Sequence, residues 1–309
     1  MRLSTFVVGL SVLGFGLGWM GGGALAQERA LTQAKPVAVT SSLRWSIIKT
    51  ADTESLDGLV RSGGDFFALR PIHHAAFLIE HGSQHFLFDT GLGERIDQQF
   101  SREMPWYLQG LFQYQYQASV KAQLPADYAV DFMVLSHVHW DHGGGLLDYP
   151  RIPVWIDQGE FQELEHRDNG RTFAAQFEGV EDRLEPIAWQ ASPYLVFDRH
   201  RDIFGDQSAV LVPLPGHSFG SVGLILNQGA QKFFLVGDAV WAHEQVQSLE
   251  PKFWFASGLV DREPDALMQS LRKIRTLQDL GYVIVPTHDA GVQQQLGLYP
   301  HWIERQVSP

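Results

Sequence analysis

Short apolar runs recur along the chain from residue 44 onward, each the length of a strand. "RWSIIKT", "AAFLIE", "HFLFDT", "DFMVLS" and "PVWID" occupy the first half, and "YLVFD", "AVLVP", "SVGLILN", "KFFLVGD" and "YVIVP" the second. They are rich in β-branched and aromatic residues, with turn residues between several of them, as buried strands require. Helical spacing is clear after Pro264, where Leu267, Leu271, Ile274 and Leu277 recur every three or four residues and Gly281 closes the run. A second helix is expected over "QGEFQELEH", directly after the strand Pro153 to Asp157. Strand groups separated by helical patterns predict an α/β fold of four layers, two sheets face to face with helices outside. One aromatic segment, "REMPWYLQGLFQYQYQASV" (102–120), breaks the rhythm. It reads either as a helix burying one aromatic stripe or as a lid or substrate wall.

The first 26 residues follow another pattern. Arg2 is their only charged side chain; an apolar run follows, ending in Ala24-Leu25-Ala26 before Gln27. A positive start, an apolar middle and a small-x-small exit mark a secretory signal peptide. The expectation is residues 1–26 as a signal cleaved before Gln27, 27–40 as a tether, and 41–309 as a single domain. The mature protein is then periplasmic or secreted, without stable membrane association; retention of the run as an anchor is the alternative. No cysteine occurs among the 309 residues, which excludes thiolate ligands, a cysteine nucleophile and disulfides. A chain of this length holds itself by core burial. The net charge of −12 argues against nucleic acid as a partner, since such binding needs lysine and arginine to neutralise phosphates.

Candidate chemistry begins at "SHVHWDHGGG", residues 136–145. Histidines two apart on an extended chain point to the same side, so His137 and His139 aim together. A bend after them turns Asp141 and His142 toward a neighbouring point, and the glycine run lets backbone pass closely. Downstream, "PLPGHSFGS" offers His217, "FFLVGDAVW" offers Asp238 and "YVIVPTHDAG" offers His288, each at the end of an expected strand. Strand ends on one rim converge, as in other α/β ligand sites. Three imidazoles leave a zinc ion one open position, where the pKa of a water falls to about 7. His73, His74, His81, His85, His166, His200, His243 and His301 lack ligand partners by spacing and read as surface or core residues.

In that order, "FDTG" at Asp89, "HVHWDH", "PGHSFGS", "VGDA" and "PTHD" resemble the metallo-β-lactamase superfamily over nearly all of the mature chain. The resemblance implies an αββα sandwich with a two-metal site in its rim. One metal would take His137, His139 and His217, and the other Asp141, His142 and His288, with Asp238 bridging. Two divalent ions are implied, zinc ahead of iron, manganese or cobalt. Asp89 would orient a ligand ring or its loop, or cap a turn.

Within the superfamily, β-lactamases with a cysteine ligand are excluded by composition, and the remaining type usually lacks an aspartate at Asp238. Flavodiiron members have glutamate where His139 stands, RNA-processing members need basic surfaces, and a glutathione-binding domain is not recognisable after His288. The chain is most similar to N-acyl-homoserine lactonases, which implies opening of a lactone ester and a quorum-quenching role. Asp141 and Asp238 would serve catalysis as well as binding. Trp241 stands where those lactonases carry a tyrosine that holds the substrate carbonyl, and its indole has one donor and does not ionise usefully. Trp106, Tyr107, Phe112 and residues 253–259 would wall an acyl chain. Another ester, a thioester or a β-lactam as substrate, or a non-catalytic metal-binding domain, are the alternatives.

Overall fold

The computed structural model describes residues 43–165 and 170–305, within the unit Val37–Pro309. The expected signal, the tether and His166 lie outside the described residues. Among the described residues thirteen strands form two sheets: β1 (Leu43–Leu56), β2 (Leu69–His81), β3 (Gln84–Phe88), β4 (Gln115–Tyr116), β5 (Phe132–Val134), β6 (Val154–Ile156), β7 (Leu184–Pro186), β8 (Arg201–Asp202), β9 (Ala209–Pro213), β10 (Val222–Gln228), β11 (Gln231–Leu235), β12 (Val283–Val285) and β13 (Ile303–Glu304). The first sheet runs β13-β1-β2-β3-β5-β6-β7, with β4 on the flank of β1; the second runs β12-β11-β10-β9-β8.

Alternation along each strand sorts the core into layers. Trp45, Ile47, Phe77 and Ile79 meet Leu211, Leu224 and Leu235 between the sheets. Their sequence neighbours Ile48, Ala76 and Leu78 face the other way, into a layer closed by Val120, Phe161 and Phe177. Val210, Val212 and Ile225 likewise face outward from the second sheet, onto Leu267, Leu271, Ile274 and Leu277 of the helix Pro264–Asp279. Period two on the strands and a period near 3.6 on that helix therefore build the four-layer αββα sandwich. Pro264 is at the first helical turn, where its missing N–H costs nothing, and Gly281 follows the end at φ 87°. The expected helix after β6 spans Gln158–Glu165.

One expected strand is not formed, and one segment resolves its two alternatives. "YLVFD" forms no strand: Tyr194 and Phe197 make one isolated bridge across a tight turn, and their side chains join the outer layer of the second sheet. Apolarity there serves packing of a loop. Residues 102–120 form no long helix, while Leu108 and Phe112 of this segment line a cavity, in keeping with the wall alternative. The helix Ile96–Glu103 ends at Met104, before Pro105, and turns then lead to β4. Among the described residues no helix is long and apolar enough to cross a membrane.

Candidate metal centre

The parallel pairs β3–β5 and β11–β12 bring several carboxyl-terminal strand ends to one rim. Asp89 follows β3, His137 follows β5, Asp238 follows β11 and His288 follows β12, while the loop after β9 carries His217. From His137 to His139 the chain forms no helix or strand, and the two rings lie 4.4 Å apart. A turn then folds back, with the amides of His142 and Gly143 both donating to the His139 carbonyl. Gly144 is required there, because a Cβ would come within 2.6 Å of the Gly91 carbonyl oxygen.

All seven expected ligands are buried and gathered. His137 Nε2 and His217 Nε2 face each other at 3.1 Å, and the His139 ring is 4.6 Å from that of His217. Asp238 reaches both groups: Oδ1 is 3.1 Å from His142 Nε2, and Oδ2 is 3.1 Å from His288 Nε2 and 3.6 Å from His217 Nε2. Asp141 Oδ2 lies 3.3 Å from His288 Nε2. Among the described residues three sets have donor atoms close enough to share an ion: His137, His139 and His217; His137, His142 and Asp238, which shares His137 with the first; and His74, Asp141 and His288. The third set corrects the reading of His74 as a residue without a ligand partner. β2 runs antiparallel to β3, with Phe77 opposite Phe88, so three residues earlier His74 stands at the same rim as Asp89.

The outward-facing ring atoms are held by the protein. Asp89 Oδ2 takes His142 Nδ1 at 2.8 Å and the Ser136 hydroxyl at 2.8 Å, while Oδ1 accepts the Ser136 amide, so Asp89 orients both a ring and its loop. His217 Nδ1 meets Asp261 Oδ1 at 2.7 Å, His288 Nδ1 donates to the His73 carbonyl at 2.7 Å, and His137 Nδ1 faces Ser136 Oγ at 3.0 Å. Glu163 approaches His139 Nε2 at 3.8 Å and takes a two-pronged contact from Arg262. Such partners fix ring orientation and tautomer for a metal. Asp261, Glu163 and Glu160, which accepts the Val138 amide, were not among the sequence-derived candidates. Glu160 and Glu163 did leave a trace, as acids three apart on a helix whose interior they share.

The donor chemistry fits divalent cations. His142 Nε2 and Asp238 Oδ1, 3.1 Å apart, are buried with no hydrogen-bond partner. Burial and the imidazoles of His142 and His139 hold His137 well below its ordinary pKa, and burial with Lys252 lowers His217 to about 4. Against burial, Asp238 and Asp141 raise His288 to about 10 and, with Asp89, lift His142 well above its ordinary value. Asp141 and Asp238 stay well below the usual carboxylate range despite their burial, because of these same imidazoles. Buried carboxylates here demand positive charge, and imidazole and carboxylate together suit zinc and its neighbours.

A cavity opens onto Asp141, His217, Asp238 and His288, walled by Leu59, Ile72, Leu108, Phe112, Phe255 and Leu259. Trp106 and Tyr107 are not among its walls; at 83% and 66% exposure they face solvent, because the turn after Pro105 directs them outward. Trp241 lines the cavity, but its indole N–H donates to Asp238 Oδ2 at 2.8 Å and so is engaged by the carboxylate.

Comparison with known proteins agrees with this geometry. Human acyl-coenzyme A thioesterase MBLAC2 is 29% identical over 176 residues, 53% of this chain, which spans 57% of that relative's length; the Bos taurus protein matches equally. Among solved structures, an N-acyl homoserine lactone hydrolase with the product N-hexanoyl-L-homoserine at its catalytic metal centre superposes with a TM-score of 0.67 at 16% identity, covering 85% of this chain and 100% of the other. AidC, a dizinc quorum-quenching lactonase, gives 0.56 at 14% identity, covering 80% and 87%. At such identity these structures establish the fold alone. The metallo-beta-lactamase superfamily model matches residues 69–288, well over half of the sequence, and with the rim of histidines and aspartates it settles the family: the chain belongs to the metallo-beta-lactamase superfamily.

Proposed function

We propose that this protein is a metal-dependent hydrolase with two divalent ions, zinc first among them, that opens the ester bond of a lactone bearing an apolar chain, such as an N-acyl-homoserine lactone. One observation carries the reading: the cavity that opens onto His217, Asp238, Asp141 and His288 has apolar walls that include Leu59, Ile72, Leu108, Phe112, Phe255 and Leu259. His137, His139 and His217 would hold one ion, Asp141, His142 and His288 the other, and Asp238 both. When bound, two such ions supply Lewis acidity toward a carbonyl and a water of lowered pKa. The chain's own part is orientation and exclusion of water. Leu108, Phe112 and Phe255 would seat the acyl chain and leave the polar ring against the floor. Asp141 Oδ2, at the cavity floor, would pass to the departing alkoxide the proton released as water adds to the carbonyl carbon. The ring C–O bond breaks and a hydroxy acid leaves.

A second reading, an acyl thioester as substrate, is favoured by the match to the thioesterase MBLAC2. The apolar wall fits both, so the scissile bond decides. Zinc-loaded protein should open acyl-homoserine lactones of several chain lengths, and chelation should abolish the activity. Rapid cleavage of an acyl thioester with no turnover of any lactone would exclude the lactonase reading.

A further inference from the structure

We propose that His74 is a sixth imidazole of the metal centre, a positioning residue that secures the second ion by holding Asp141 and presents its other ring nitrogen to the cavity. The inference rests on the two-ion reading above. His74 projects from β2 at the rim, almost fully buried, and lines the cavity beside Asp141. Its Nδ1 lies 3.1 Å from Asp141 Oδ2, the oxygen that also faces His288 Nε2 at 3.3 Å. Its ring meets the His288 ring edge-on at 5.2 Å and packs 5.5 Å from Trp140. These contacts leave the ring one orientation, with Nδ1–H donating to the carboxylate.

His74 Nε2 is then buried without a protein partner. A purely packing histidine would have both nitrogens satisfied, because an unmade buried hydrogen bond costs about 1–3 kcal/mol. Neighbouring His73 shows the contrast, with Nδ1 on Gln293 and Nε2 toward Asp52. An imidazole whose Nδ1 serves Asp141 carries an acceptor at Nε2, suited to a donor on a bound ligand such as an amide N–H. Freed of His74, Asp141 would be able to swing away from its place beside His288.

The test compares His74→Asn, whose side-chain amide nitrogen can take the place of Nδ1, with His74→Phe, which keeps the ring volume and removes both nitrogens. Metal content after dialysis against graded chelator, and stepwise titration with cobalt followed by its visible absorption, are read for both variants and the parent. The parent should take up two ions. His74→Phe should bind the second ion 10–100-fold more weakly, while His74→Asn keeps most of that affinity and shows a raised KM. Tight uptake of both ions by His74→Phe would refute the role of His74 and leave the two-ion reading intact. A parent that takes up only one ion would refute both. A His74→Phe chain that no longer folds leaves the decision to His74→Asn, whose second-ion affinity must then exceed that of His74→Ala.

Discussion

Asp261 shows how much of this centre lies behind its ligands. Its Oδ1 receives both His217 Nδ1 at 2.7 Å and Lys252 Nζ at 2.8 Å, and neither Asp261 nor Lys252 has any exposed side chain. Against its burial, Lys252 and His217 lower Asp261 to about 2, so it is ionised at any working pH. Lys252 also donates to the Asp238 carbonyl at 2.7 Å, tying the loops of two ligands to one ammonium. Replacing one partner strands the other charge, so Asp261→Asn should cost about 3–5 kcal/mol of stability. The double variant Asp261→Asn, Lys252→Met should recover part of this, as read by chemical unfolding; a double variant worse than the sum of the singles would contradict the pairing. The seven candidate ligands were legible in the sequence because a metal site asks for short spacings and for single donors at strand ends. Asp261, Glu163 and His74 were not, because each reaches its partner across the fold from a segment with no motif of its own. His74 stands 67 residues before Asp141, in a strand that reads as an ordinary apolar run.

At the level of elements, strands carried by strand-length apolar runs were readable, and the helix Pro264–Asp279 was readable because its stripe, its proline and its closing glycine agree. The two-residue strands β4, β8 and β13 were not, being made by pairing with a neighbour more than by their own composition. The loop that carries His217 depends on how closely that helix approaches it. The Gly216 carbonyl accepts the amides of Arg262 and Glu263, and a Cβ on Gly216, at φ 129°, would lie 2.2 Å from the Leu267 amide nitrogen. Gly216→Ala should therefore displace the helix start or the loop, lowering the thermal midpoint of the loaded protein together with its metal content. Gly258, in the helix Trp254–Val260, has open space around its missing Cβ and an exposed position. Gly258→Ala should stabilise by about 0.5–1 kcal/mol. Equal melting of the two variants would show that backbone approach at Gly216 is not what seats the loop.

For the molecule as a whole, the charges of the centre tie stability to pH in opposite ways with and without metal. Without metal, Asp89, Asp141 and Asp238 are balanced by protons on His142 and His288, the latter raised to about 10 by Asp238 and Asp141 against the effect of burial. A histidine whose folded value exceeds its ordinary 6.5 contributes stability that is complete below about pH 6.5 and is lost as pH rises through the folded value. The remaining shifts do not oppose this above neutrality. His217, lowered to about 4, changes its contribution only between about 4 and 6.5, and Glu160, raised to about 7 by burial, loses its contribution as pH rises from 4.5 to about 7. Between pH 7 and 10 the metal-free protein should thus melt at progressively lower temperature. Divalent ions take over the role of those protons, and their affinity rises as the imidazoles are freed of protons. The gap between the melting temperatures of zinc-loaded and metal-free protein should widen steadily from pH 7 to 9. Thermal melts at pH 7, 8 and 9, with zinc and with chelator, measure it directly. A gap that stayed constant or narrowed would mean that the rim carboxylates are not compensated by His142 and His288 when the ions are removed.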